Sequence, residues 1–162
     1  MLARDPDESK VLAGGQSLVP MMNFRLASPT RLIDINRVPD LEGMSVSGDR
    51  LRVAARTRHI DVQRNELPGP LGELLREAAG HVGHLPIRTR GTFGGSIAHC
   101  DAASEWCQVA ALLDAEMTVV SASRGERTIQ TADFFQSIFT TSLELDEILV
   151  AVVVTVSGRP AP

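Results

Sequence analysis

Two short glycine-bearing stretches of this chain hold the residues best suited to chemistry. The first, Val11-Leu12-Ala13-Gly14-Gly15-Gln16-Ser17-Leu18, reads as the end of a strand, a glycine pair and the start of a helix. The second runs from Arg88 to His99 and holds Gly91, Gly94 and Gly95, with Thr92 and Ser96 between and after them. Without a Cβ, glycine takes positive φ at no steric cost, so consecutive peptide N–H groups can converge on one point. Small hydroxyl residues approach the same point closely, and a helix start behind the first pair adds partial positive charge. Together these features suit an anion such as a pyrophosphate. One such bend is ordinary turn chemistry. Two of them, about eighty residues apart, predict two loops closing on a single elongated anion. Neither contains G-x-G-x-x-G or the Gly-Lys-Ser/Thr of a P-loop, which argues against an ordinary Rossmann or nucleotide-triphosphatase site.

The remaining reactive side chains point to plainer roles. His81 and His84 are three apart, yet no Cys or carboxylate stands at a matching spacing, so backbone capping is expected rather than metal binding. His99 lacks an adjacent nucleophile and reads as a hydrogen-bonding loop residue. Cys100 and Cys107 have no partner pair for a disulfide framework or zinc site and read as small buried fillers. Phe134, Phe135 and Phe139 read as core.

The elements that must position the two stretches follow from patterning. Lys10–Ala13 is a short strand stopping at the glycine pair, and Ser17 stands where a helix N-cap would, ahead of Leu18, Met21, Met22 and Leu26. Arg31–Ile35 alternates as a strand. Residues 44–46 and 51–54 flank Ser47-Gly48-Asp49 as one hairpin, and 116–121 and 127–129 flank Arg124-Gly125 as another. Helices are predicted from Thr57 to Val62, from Leu71 to Ala79, from a Ser104 cap to Leu113, and from an Asp133 cap through Phe139. Pro86 predicts extended backbone before Ile87. Ile148–Val156 closes as a buried strand. Helices and antiparallel hairpins intermix, so the class is α+β.

Composition narrows the function. Net charge is −4, and the arginines are dispersed; Arg50, Arg52, Arg56 and Arg58 fit the solvent face of a strand. With no Tyr and one Trp there is little to stack on bases, so nucleic acid is a poor partner. No apolar run approaches the roughly 20 residues of a membrane span. The Met1–Asp7 start has no basic head and apolar stretch, which predicts a cytoplasmic address.

The segments Lys10–Asn36 and His81–Asp101 strongly resemble the FAD-binding medium subunits of molybdenum hydroxylases, the xanthine dehydrogenase and carbon monoxide dehydrogenase family. Leu51–Thr57 and Asp114-Ala115-Glu116 resemble further family steps. The resemblance implies a PCMH/vanillyl-alcohol-oxidase-like FAD-binding domain of two small subdomains, residues 1–38 and 39–157, with a loose tail at 158–162. It also implies truncation at both ends, with the first strand and the C-terminal domain of the family missing. Val11, Leu12, Ala13, Gly14, Gly15, Gln16, Ser17 and Leu18 would wrap the FAD pyrophosphate, and Thr92, Gly94, Gly95 and Ser96 would complete the clamp. Val82 and Gly83 would lie against the flavin portion, Glu105 would hold the adenosine ribose, and Leu149 would make an apolar contact. His99 and Asp101 share the second loop. Asp101 and Glu105, four apart, are then a capping residue and a ribose ligand rather than a catalytic acid pair. No catalytic side chain or metal ligand is expected. Implied partners are a molybdopterin-binding large subunit and a [2Fe–2S] small subunit, with NAD, oxygen or a quinone as electron acceptor. A truncated, flavin-free remnant or assembly module of such a subunit is the alternative. The chain departs from the family at Cys100-Asp101-Ala102, where Ala-Asp-Pro is common, and at Trp106-Cys107, where Leu-Pro is; Trp106 is expected to add bulk near the adenosine end.

Overall fold

The computed structural model describes residues 2–5 and 8–156. A 3-10 turn at Leu2–Arg4 leads into strand β1 (Ser9–Leu12), helix α1 (Leu18–Asn23) and strand β2 (Arg31–Asp34). β1 and β2 pair in parallel, an arrangement that needs a crossover such as α1 rather than a tight turn. The hairpin β3 (Met44–Ser47) and β4 (Arg50–Ala54) follows. Five helices come next: α2 (His59–Gln63), α3 (Gly69–His81), α4 (Leu85–Arg90), α5 (Phe93–His99) and α6 (Glu105–Leu112). A second hairpin, β5 (Glu116–Ser121) and β6 (Gly125–Gln130), precedes helix α7 (Thr131–Phe134), the small ribbon β7 (Phe135–Ser137) and β8 (Thr140–Thr141), and the long strand β9 (Glu147–Thr155).

β9 inserts between the two hairpins, giving a five-stranded antiparallel sheet in the order β3-β4-β9-β5-β6. A central strand is paired along both edges and packed over, which explains why its sequence is an almost unbroken apolar run. The fold is α+β. Leu51, Val53, Met117, Val119, Leu149 and Val152 from the sheet meet Leu75, Ala79, Ile97, Trp106 and Phe134 from the helices in one buried core. The two cysteines are free and buried. Among the described residues no helix is long and apolar enough to cross a membrane.

Several expectations need correction. Pro86 does not extend the chain; it occupies the first turn of α4, where a helix has no acceptor for an N–H and so loses nothing to proline. The second glycine stretch is not an open loop, because residues 93–99 form α5, started by Thr92, whose hydroxyl accepts from the Gly95 N–H at 3.2 Å. Asp133 lies inside the first turn of α7, with Gln130 at the N-cap position, and that helix stops at Phe134. Phe134 is core, but Phe139 is exposed and takes φ 60°. Leu26 lies beyond the end of α1 and is exposed.

Trp106, fully buried against Phe93 with ring centroids 4.7 Å apart, anchors α6 to α5. Trp106→Ala is expected to cost about 3–5 kcal/mol in urea unfolding; a loss under about 1 kcal/mol, as for a surface site, would show that the indole does not support the core.

Candidate functional site

The two glycine stretches touch. A Cβ at Gly14 would collide with the carbonyl oxygen of Arg90 and stand 2.7 Å from the Gly91 Cα. One at Gly95 would come within 3.9 Å of the Ala13 Cβ. Between them lies a cleft of about 400 Å³ lined by Val11 and Ala13–Leu18 on one side and by Thr92, Gly94, Gly95, Ser96 and His99 on the other, with Leu149 also on its wall. That volume is typical of small-molecule sites. Leu12 does not line the cleft.

The two sides offer different chemistry. Gly15 takes φ 72°, and the N–H groups of Gly14, Gly15, Gln16, Ser17 and Leu18 meet no acceptor among the described residues. Ser17 sits at the N-cap position of α1 without capping it, so its hydroxyl is also uncommitted. Helix α1 has six residues, too few for its dipole to matter much; what this side offers is the run of uncommitted amides. On the other side the N–H groups of Phe93, Gly94 and Ser96 donate to the carbonyls of Thr57, Ala55 and Thr92 at 2.8, 2.8 and 3.1 Å, and that of Gly95 donates to Thr92 Oγ1. The donor logic read into this stretch is therefore corrected for residues 93–96: their N–H groups are spent, and the stretch presents hydroxyls. Gly94 is bare because a Cβ there would strike Ala55, and Gly95 because one would stand 2.5 Å from Thr92 Oγ1.

Side chains that patterning did not single out hold the halves together. Asn36 donates from Nδ2 to the Ala13 carbonyl at 2.8 Å and accepts at Oδ1 from Arg58 Nη2, also at 2.8 Å. The other terminal nitrogen of Arg58 donates to the Arg90 carbonyl. One guanidinium thus spans from the first loop to the end of α4. Burial, and then Arg56, lowers the Arg58 pKa. Evenly spaced arginines suggested a strand face, but β4 ends at Ala54, so Arg56 and Arg58 escape its alternation. Glu147 also lines the cleft. Two hydrogen bonds from Arg127, at 2.7 and 2.8 Å, tie up its carboxylate and hold its pKa low, so its charge is compensated.

His59 is the other residue missed. It is 3% exposed and belongs to the cleft wall. Its Nδ1 accepts from the Trp106 indole N–H at 3.0 Å, which leaves the proton of the neutral ring on Nε2. Burial, followed by the charges of Arg58 and Arg88, brings its pKa down to about 4. Gly91 must be glycine because a Cβ would stand 2.6 Å from His59 Nε2. Trp106 is thereby accounted for: it turns into the core to orient His59 and does not crowd the cleft. A lone His between Arg58 and Ile60 carries no sequence signal for this role.

The other expected site residues are not brought to the cleft. Val82 is buried at the C-terminal end of α3, and Gly83 follows it at φ 47°. The Asp101 carboxylate accepts from the Ala103 N–H at 2.9 Å. Glu105 opens α6. His81 and His84 are exposed, and no cluster of three or more His, Cys, Asp or Glu gathers among the described residues.

The His59 pKa sets a pH dependence. The unfolded imidazole binds a proton near pH 6.5, while the folded one refuses it until about 4. Stability therefore falls as pH drops through that window and levels off below it. Urea midpoints at pH 7.5 and 5 should differ less in His59→Gln than in the wild type; equal differences would mean the folded ring titrates normally.

Residues 1–156 match the family described as the FAD binding domain in molybdopterin dehydrogenase. Among curated proteins, the chain is 42% identical over 152 residues to the 6-hydroxypseudooxynicotine dehydrogenase complex subunit alpha of Paenarthrobacter nicotinovorans, covering 94% of this chain and 51% of the relative. It is 36% identical to the caffeine dehydrogenase subunit beta of Pseudomonas sp. (strain CBB1), covering 98% and 54%. Among solved structures, it superposes with a TM-score of 0.87 and 34% identity on a carbon monoxide dehydrogenase of Hydrogenophaga pseudoflava lacking the Mo-pyranopterin moiety, covering 95% of this chain and 53% of that one. Quinoline 2-oxidoreductase from Pseudomonas putida 86 gives a TM-score of 0.87 at 37% identity, covering 96% and 54%. The chain spans about half the length of the curated relatives it matches.

Proposed function

This chain belongs to the FAD-binding domain family of molybdopterin dehydrogenases, and on that premise we propose that its cleft holds the FAD pyrophosphate on the amides of residues 14–18. The observation that carries the proposal is that run of five backbone donors without acceptors among the described residues, on residues that line a cavity shared with the second glycine stretch. Free N–H groups hold an anion without placing a cation beside it, and five of them match an acceptor-rich diphosphate bridge.

The residues present fit the group. Gly15, at positive φ, turns the loop so that successive amides converge. Asn36 and Arg58 fix that loop against α4, so little ordering remains to be done on binding. Ser17, Thr92 and Ser96 supply hydroxyl donors, and His59 is held as a neutral N–H donor behind Gly91. Glu147, neutralised by Arg127, does not repel phosphate. Val82, Gly83, Asp101 and Glu105 belong to the proposal on resemblance alone.

Bound there, FAD would supply the redox chemistry, accepting and releasing electrons, while the protein supplies placement and electrostatics. The chain's place is in an oxidoreductase complex, as an electron-transfer subunit between iron–sulfur clusters on a small subunit and an external acceptor such as NAD, oxygen or a quinone. A molybdopterin-binding large subunit would be the site of substrate oxidation. Support for this arrangement is the naming of relatives as subunits of dehydrogenase complexes.

Purified chain titrated with FAD should show quenched and shifted flavin bands, with FAD recovered on denaturation. A colourless protein whose added FAD keeps its free spectrum would overturn the proposal in favour of a flavin-free assembly module. Gly15→Ala, which forces a side chain onto φ 72° with Val19 Cγ2 at 3.1 Å, should weaken FAD about tenfold, equivalent to about 1.4 kcal/mol. Unchanged affinity would place the pyrophosphate elsewhere. Gly94→Val is a poorer probe, because its side chain would meet Ala55 before any ligand.

A further inference from the structure

One aromatic pair on the cleft wall has no part in the pyrophosphate chemistry. Phe139 is 59% exposed, although it is a large apolar ring. Its backbone sits at φ 60°, a left-handed conformation that L side chains rarely adopt, and such strain is retained where surrounding structure enforces it. Here the enforcing contact is the Phe139 N–H, which donates to the Cys100 carbonyl at 2.8 Å. Cys100 itself caps the C-terminus of α5 at φ 55°. The end of the glycine-bearing helix and the turn between β7 and β8 are thereby locked together. The Phe139 ring lies 5.0 Å from the His99 ring, with 39° between their planes. Both residues line the same cleft as the uncommitted amides of residues 14–18, beside Leu143 and Leu149.

An apolar ring kept in solvent by a strained backbone gains nothing for folding. A conjugated planar ligand carried on a pyrophosphate would cover that ring, and ring-on-ring contact is favourable beyond the area it buries. We propose that Phe139, backed by His99, is the stacking platform for one planar ring of the bound dinucleotide, either adenine or isoalloxazine. The proposal rests on the FAD reading above and adds a positioning residue that resemblance did not assign, correcting the expectation that Phe139 is core.

The test compares the wild-type chain with Phe139→Ala, Phe139→Leu and Phe139→Trp, titrating each with FAD, ADP and FMN. Removal of the ring in the Ala and Leu variants should weaken FAD by about tenfold, while Phe139→Trp keeps it, with unfolding midpoints unchanged in all three. If adenine is the stacked ring, ADP weakens by the same factor and FMN does not move; if isoalloxazine, FMN weakens and ADP does not. FAD affinity within twofold of wild type in both the Ala and Leu variants overturns the platform while leaving the pyrophosphate site intact. Equal loss of ADP and FMN with a lowered midpoint marks a purely structural role and also overturns it. A wild-type chain that binds no FAD overturns this proposal together with the reading beneath it.

Discussion

The site depends on a backbone-to-backbone contact. Gly14 lies so close to the Arg90 carbonyl and the Gly91 Cα that no side chain fits between, and this approach turns two separate bends into opposite walls of one cleft. It survives because its polar groups are satisfied from the side: Asn36 takes the Ala13 carbonyl and Arg58 takes the Arg90 carbonyl. Carbonyls pressed together without such partners would oppose the approach. The amides that remain without acceptors are then an asymmetry of the cleft, concentrated on the first loop, and that asymmetry is its chemical character.

Glycine has three distinct uses within this small region. At Gly15 it permits a positive φ; at Gly14 and Gly91 it clears room for a neighbouring strand of backbone and for the His59 ring; at Gly94 it lets α5 seat on Ala55. Only the first use concerns amide direction. The others are steric, and they hold the first loop, α4, α5 and β4 in one rigid arrangement. The neutral His59 belongs to the same design, since a cationic imidazole would sit unpaired near Arg58 and Arg88.

Much of the architecture was legible from local pattern. Both hairpins, α3 and the closing strand announce themselves by alternation, helical spacing and turn residues, all set by near neighbours in the chain. The first glycine loop was legible for the same reason, because positive φ at a strand end is a local demand. What stayed hidden was decided by contacts distant in sequence. The Arg88–His99 stretch reads as loop because its glycines disfavour helix locally, yet Thr57, Ala55 and Thr92 absorb the N–H groups that open α5. Arg58 and Asn36 are linked over 22 residues and His59 and Trp106 over 47, and no spacing rule reaches that far. Phe139 was misread because an apolar type implies burial only on average.

The position of β9 has a consequence for how the protein comes to exist. Its neighbours β4 and β5 belong to hairpins made earlier along the chain, and until β9 arrives each hairpin keeps an unpaired inner edge. Such edges are open to pairing with other chains, and closing them requires bringing together residues about a hundred apart, as at Ala54 and Ala151, a slow kind of step. Leu149 and Glu147, on the cleft wall, ride on that same strand. The cleft is therefore among the last parts of the molecule to assemble, and a ligand that fills it would act as a late fastening on the sheet as well as a cargo held by it.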